Sequence, residues 1–128
     1  MDSSLKLIPK IQHLDLSNND ISVIENLDEC KELEHLNLSF NKISSLSCFS
    51  SCCSLIKFLV LRENHIETIE SLSHLLYLEK LDLSYNKISS FTVINTLVDL
   101  PRLQELWLEM NPIAQKKGYR ITVHRAFM

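Results

Sequence analysis

Residues 33–41 read LEHLNLSFN, and the chain writes the same nine-residue phrase four more times: IQHLDLSNN at 11–19, IKFLVLREN at 56–64, LEKLDLSYN at 78–86 and LQELWLEMN at 103–111. Each copy opens on Leu or Ile, alternates L-x-L in its centre and closes on asparagine. The closing residues Asn19, Asn41, Asn64, Asn86 and Asn111 are spaced by 22, 23, 22 and 25 residues. Two residues after each comes an isoleucine: Ile21, Ile43, Ile66, Ile88 and Ile113. Self-similarity at this period marks an array of stacked units, none of which can bury its apolar face alone.

The L-x-L alternation has the period of a short strand with one face buried. It points Leu14/Leu16, Leu36/Leu38, Leu59/Leu61, Leu81/Leu83 and Leu106/Leu108 inward. Successive strands, beginning near 11, 33, 56, 78 and 103, then stack as one parallel sheet over residues 11–110. The asparagines turn inward where the chain leaves each strand, because a side-chain amide there can satisfy backbone donors and acceptors that the turn strands. The return segments carry apolar residues at intervals of three: Ile24, Leu27, Cys30; Leu46, Phe49, Cys52; Ile69, Leu72, Leu75; Phe91, Ile94, Leu97. That interval predicts 3₁₀ or short helical turns on the outer side.

The flanks differ. Residues 1–10 carry Leu5 and Ile8 one period before Leu27 and Cys30, which predicts the tail of a partial repeat or a short capping turn. After Asn111 the text becomes NPIAQKKGYRITVHRAFM; Tyr119, Val123 and Phe127 fall four apart, on one face of a helix that would close the end of the core over residues 111–128.

Composition narrows the function. The chain has 128 residues, a formal charge of −3 and a single glycine, Gly118. The charge gives no general attraction to DNA or to anionic lipid. The scarcity of glycine speaks against a phosphate-cradling loop and against a fold rich in positive-φ turns. No apolar run approaches the roughly 20 residues that span a bilayer, and MDSSLKLIPK lacks the apolar core of a secretion signal. Cys30, Cys48, Cys52 and Cys53 are too clustered for a disulfide framework, which implies buried thiols in a reducing compartment. The CFSSCC stretch at 48–53 offers thiols to zinc but lacks a second close pair of ligands. Five histidines raise acid–base chemistry, but no nucleophile with a base and an orienting group accompanies them. The basic end formed by Lys116, Lys117, Arg120, His124 and Arg125 reads as a solvated helix surface.

These residues resemble the 22-residue intracellular leucine-rich repeat class represented by the regulatory subunit of protein phosphatase 1. The ending WLEMNPIAQKKGYRITV is similar to that class's C-terminal cap. LIPKIQHLDLSNN, the long fourth repeat and the NP-then-YR ending also resemble the repeat domains of the nischarin type of adaptor, which includes the serine/threonine kinase 11-interacting protein. The resemblance implies an α/β solenoid: a short parallel sheet on the concave face, irregular or 3₁₀ outer segments and a C-terminal capping helix. It implies a non-catalytic protein-interaction module or scaffold without cofactor, cytoplasmic and monomeric, in signalling or trafficking. The same class has spliceosomal members, so an RNA-associated module is the alternative.

A partner would meet the outward residues of the strands. The expected columns are His13, His35, Phe58, Lys80, Glu105; Asp15, Asn37, Val60, Asp82, Trp107; Ser17, Ser39, Arg62, Ser84, Glu109; and, beside the asparagines, Phe40, Glu63, Tyr85, Met110. A solvent-facing sheet should be polar, yet Phe40, Phe58, Val60, Tyr85, Trp107 and Met110 are predicted to face outward. Aromatic and arginine side chains are frequent binding anchors, so the candidate groove covers repeats two to five, anchored by Trp107 and Tyr85, with Arg62 pairing an acidic group. The competing reading packs Trp107 and Phe58 under the cap or against neighbouring columns.

Overall fold

A computed structural model describes residues 10–127. Strands β1 (His13–Asp15), β2 (His35–Asn37), β3 (Phe58–Val60), β4 (Lys80–Asp82) and β5 (Glu105–Trp107) form one open sheet in that order, every pair parallel. Regular pairing is confined to the x-L-x centre of each phrase. The leading residues Ile11, Leu33, Ile56, Leu78 and Leu103 belong to the turns that feed the strands, two residues earlier than the pairing starts. Register follows the repeat alignment: His13, His35, Phe58, Lys80 and Glu105 stand side by side, as do Asp15, Asn37, Val60, Asp82 and Trp107.

The inward leucines of the middle repeats are buried, together with Ile43, Ile66, Ile88 and Ile113; Ile21 is half-buried. Leu14, Leu16 and Leu106 are only half-buried, because the outer strands have a neighbour on one side. The outer segments form 3₁₀ turns at Ser47–Ser50 and Glu70–His74. In the longest repeat the extra residues suffice for a full turn of α-helix, α1 (Val93–Val98), which buries Val93, Ile94 and Leu97. Phe91 stays half-buried. Where Cys52 was expected to enter the core, Cys53 does so, at 5% exposure. The additional residue of this repeat is absorbed by placing Cys53 at φ +60°, which leaves Cys52 half-buried.

The C-terminal end is closed as expected by helix α2 (Tyr119–Phe127), with Tyr119 and Val123 packed against the core. Pro112 explains how the array stops. In the inner repeats Lys42, His65 and Lys87 donate their backbone N–H to the isoleucine carbonyl one repeat back. Pro112 has no N–H, so Ile113 donates instead, 2.9 Å from the Ile88 oxygen, and the chain turns into the 3₁₀ segment Pro112–Gln115. Leu5 and Ile8, expected in a partial repeat, lie outside the described residues, as does the side chain of Phe127.

One expectation fails. Scarcity of glycine does not exclude positive φ: Asn18, Phe40, Glu63, Tyr85 and Met110 all lie between +57° and +60°. These are the five residues immediately before the asparagines. The left-handed conformation costs a non-glycine residue roughly 1–2 kcal/mol. It is held by the next repeat: the N–H groups of Asn18, Phe40, Glu63 and Tyr85 donate to Ser39, Arg62, Ser84 and Glu109 carbonyls at 2.9–3.0 Å.

Candidate functional site

The turn beyond each strand is built on the asparagines. Asn64 donates from its amide nitrogen to Leu38 O (2.9 Å), one repeat back, and to Leu61 O (3.1 Å) and Arg62 O (3.4 Å). Its amide oxygen accepts the Ile43 N–H at 3.0 Å. Asn41, Asn86 and Asn111 repeat the pattern and are buried. Asn19 does not turn inward as expected. It is exposed and, among the described residues, bonds its own repeat, through Leu16 O and Ser17 O.

This frame sets the concave surface. Three repeats place an acid or amide two residues before a serine, and the serine folds back onto it. Ser17, Ser39 and Ser84 donate hydroxyl and backbone N–H to Oδ1 of Asp15, Asn37 and Asp82, with hydroxyl contacts of 2.6–2.7 Å. The bracket pulls Ser39 and Ser84 into buried positions, so the third expected outward column is polar structure there. The Ser17 hydroxyl and N–H hold the Asp15 carboxyl below its ordinary pKa.

Repeats three and five depart from the bracket. Val60 and Arg62 replace it in one, Trp107 and Glu109 in the other. Arg62 is half-buried; its guanidinium lies 4.4 Å from the centre of the Tyr85 ring and donates to Ser84 Oγ at 3.1 Å. It therefore braces two repeats.

The first column is a continuous stack. The His13 and His35 rings lie parallel at 4.0 Å, Phe58 meets His35 edge-on at 4.2 Å, the Lys80 ammonium stands 4.9 Å from the Phe58 ring, and Lys80 pairs with Glu105 at 3.5 Å. Burial lowers the His35 pKa, and the His13 charge lowers it further. Phe58 and Val60 are half-buried and line a shallow hollow of about 300 Å³ with Asp15, His35 and Asn37. Phe58 thus packs against neighbours in its column, as the competing reading allowed. Trp107 (39% exposed), Tyr85 (37%), Phe40 (46%) and Met110 (56%) remain open to solvent.

The sequence reading missed that Phe40, Tyr85 and Met110 share the left-handed column. Position beside the asparagine was the available signal; residue type pointed away from it. The face carries the carboxylates Asp15, Glu63, Asp82, Glu105 and Glu109 against the cations Arg62 and Lys80. Among the described residues no group of three or more His, Cys, Asp or Glu could hold a metal ion. In the basic end, Lys116 stands 5.9 Å from the Phe91 ring, Lys117 and Arg120 are exposed, and the side chains of His124 and Arg125 lie outside the described set. No described helix is long and apolar enough to cross a membrane.

A repeat architecture with an asparagine-laddered parallel sheet defines a class, and comparison with known proteins agrees with it. The chain belongs to the leucine-rich repeat family, whose model matches residues 2–128. It is similar to internalin C2 of Listeria monocytogenes, with 26% identity and a TM-score of 0.77, over 98% of this chain and 54% of that one. It is similar to a leucine-rich repeat protein of Leptospira interrogans, with 25% identity and a TM-score of 0.81, over 94% of this chain and 31% of that one. A chain of the Drosophila melanogaster SNF/U2A' complex matches in fold, with 24% identity and a TM-score of 0.78, over 99% of this chain and 78% of that one. The chain thus spans about half the length of the internalin. No curated protein matches it by sequence. Leucine-rich repeat proteins are in general protein-interaction modules.

Proposed function

We propose that the chain is a non-catalytic module that seats a partner protein on its concave β-face, acting as a scaffold or adaptor in cytoplasmic signalling or trafficking. The observation that carries this reading is the left-handed column. Phe40, Tyr85 and Met110 are large, apolar and solvent-exposed at backbone positions that disfavour them. Asparagine or glycine there would relieve strain, and a polar side chain would suit water better. Side chains that add strain and leave apolar surface exposed make sense as contact residues. Trp107 in the adjacent column supplies a rigid aromatic anchor of the kind that dominates interface energies.

The finer resemblance, to the protein phosphatase 1 regulatory-subunit class and to nischarin-type adaptors, supports a cytoplasmic monomer acting through its repeats. An RNA-associated role is the second reading, favoured by the class's ribonucleoprotein members. Five carboxylates against two cations on the concave face weigh against it, since phosphate contacts dominate RNA affinity.

The test is affinity capture from a cell extract followed by measurement with purified components. For a recovered protein, Trp107→Ala combined with Tyr85→Ala should raise Kd by about tenfold or more, a typical loss for two anchors. Val23→Ala, on the exposed outer segment, should leave Kd unchanged. Equal losses in both variants would refute concave-face binding, and loss of capture after nuclease treatment would favour the RNA reading.

A further inference from the structure

The exposed apolar side chains of the concave sheet stand among uncompensated negative charge. The outward columns hold Asp15, Glu63, Asp82, Glu105 and Glu109 against Arg62 and Lys80. That surplus is as large as the formal charge of the whole chain, −3 with histidine neutral, so the remainder is balanced and the field is concentrated on this face. Both cations are already engaged within the sheet. Lys80 pairs with Glu105 at 3.5 Å, and Arg62 lies over the Tyr85 ring and donates to Ser84 Oγ. Among the described residues Glu63, Asp82 and Glu109 form no ion pair.

These three carboxylates border the two aromatic anchors. Asp82 is the direct register partner of Trp107, one strand spacing of about 4.8 Å away, and has Val60 on its other side. Tyr85 donates its N–H to the Glu109 carbonyl, and Glu63 precedes Tyr85 by one repeat in the left-handed column. Cations over rings recur in this fold: Lys80 over Phe58, Arg62 over Tyr85 and Arg102 over Tyr77. The Trp107 ring, exposed beside Asp82, has none among the described residues.

We propose, on the reading of the concave face as a protein-binding surface, that the partner segment seated on repeats three to five is basic and lays an arginine guanidinium over the Trp107 ring within reach of the Asp82 carboxylate. Arginine suits the place better than lysine, because its planar head stacks on indole while its N–H groups reach sideways to a carboxylate. The Ser84 hydroxyl and N–H both bond Oδ1 of Asp82, which fixes the carboxylate and directs a partner's donors to Oδ2. Glu63 and Glu109 draw further basic residues of the segment to its flanks. An acidic segment would meet Asp82 and Glu109 with both sheet cations already paired.

The test is selection of displayed random peptides on the immobilised chain, followed by Kd measurement with synthetic peptides by fluorescence anisotropy. Enriched sequences should carry an arginine next to an apolar residue. Replacing that arginine by glutamine should raise Kd about tenfold, with lysine intermediate. Asp82→Asn should raise Kd about tenfold for the arginine peptide and leave the glutamine peptide unchanged. Asn37 makes the same serine bracket in repeat two, so Asp82→Asn removes the charge while keeping the local fold. Glu67→Gln, an equal change of charge on an exposed residue outside the outward columns, should leave Kd unchanged. The proposal is overturned by enrichment of acidic or wholly apolar peptides, by no enrichment at all, or by an arginine whose replacement costs as much in Asp82→Asn as in wild type. A dimer in sedimentation velocity that Trp107→Ala dissolves would also overturn it, since a second copy would then hold the face. Peptides without arginine that still need Trp107 would leave the concave-face reading standing, whereas peptides insensitive to Trp107→Ala would remove that reading as well.

Discussion

The amide nitrogen of Asn64 lies 2.9 Å from the carbonyl oxygen of Leu38, one full repeat upstream. The bond ties two turns that no strand pairing reaches, and the same side chain satisfies Ile43 N–H and two carbonyls of its own repeat. Asn64→Ala removes all four contacts and strands buried backbone groups. It should cost about 2–4 kcal/mol, given roughly 1–3 kcal/mol for each buried group left unsatisfied. Asn19→Ala, at an exposed site bonded among the described residues to its own repeat, should cost less than about 1 kcal/mol. Urea denaturation of the two variants measures the difference; equal losses would mean that the ladder is not what joins the repeats.

The left-handed column yields an opposite sign. Asparagine tolerates positive φ better than phenylalanine or methionine, so Phe40→Asn and Met110→Asn should be neutral or stabilising by up to about 1 kcal/mol. Both should weaken partner binding. Denaturation midpoints and Kd values moving in opposite directions would separate a contact role from a structural one. A clear loss of stability would show that these side chains pack.

How much of this was legible in the text of the chain follows from physics at each position. The inward leucines and the ladder could be read because L-x-x-L-x-L-x-x-N fixes both strand period and amide placement. Ser39 and Ser84 were misplaced because alternation was extended beyond strands that end after three residues; the bond to Asn37 or Asp82 then decides where the serine goes. Cys52 and Cys53 were exchanged because a one-residue insertion can be absorbed by positive φ, which residue type does not reveal. The left-handed column was hidden for the same reason. Trp107 could be read either as outward or as packed under the cap, and the structure leaves it 39% exposed; the bracing of Tyr85 by Arg62 was not legible, since it joins residues of different repeats.

Trp107 should separate from the core in a thermal melt. Because it remains 39% exposed, Trp107→Ala should cost less than about 1 kcal/mol. Leu59→Ala, at a position fully inside the sheet, should cost about 2–5 kcal/mol. Similar shifts in the two midpoints would place Trp107 in the core and remove it from the proposed groove.

Stability should also fall on mild acidification. The His35 pKa is lowered in the folded chain, first by burial and then by the neighbouring His13, so the unfolded chain binds a proton that the folded chain resists. The contribution of His35 is complete above its unfolded pKa of about 6.5 and declines as pH falls toward the lower folded value. Chemical denaturation at pH 7.5 and 5.5 should show a smaller difference for His35→Gln than for wild type. An unchanged difference would mean that the ring stack does not resist protonation.

The central claim is that partner contact is made through the concave face. Its most direct test is photo-crosslinking with benzoylphenylalanine placed at residue 107 or at residue 23. Position 107 should yield a discrete cross-linked protein that is lost when Phe40→Asn and Tyr85→Asn are added, and position 23 should yield none. The same cross-linked protein from position 23, or a product at 107 that survives both substitutions, would contradict the account.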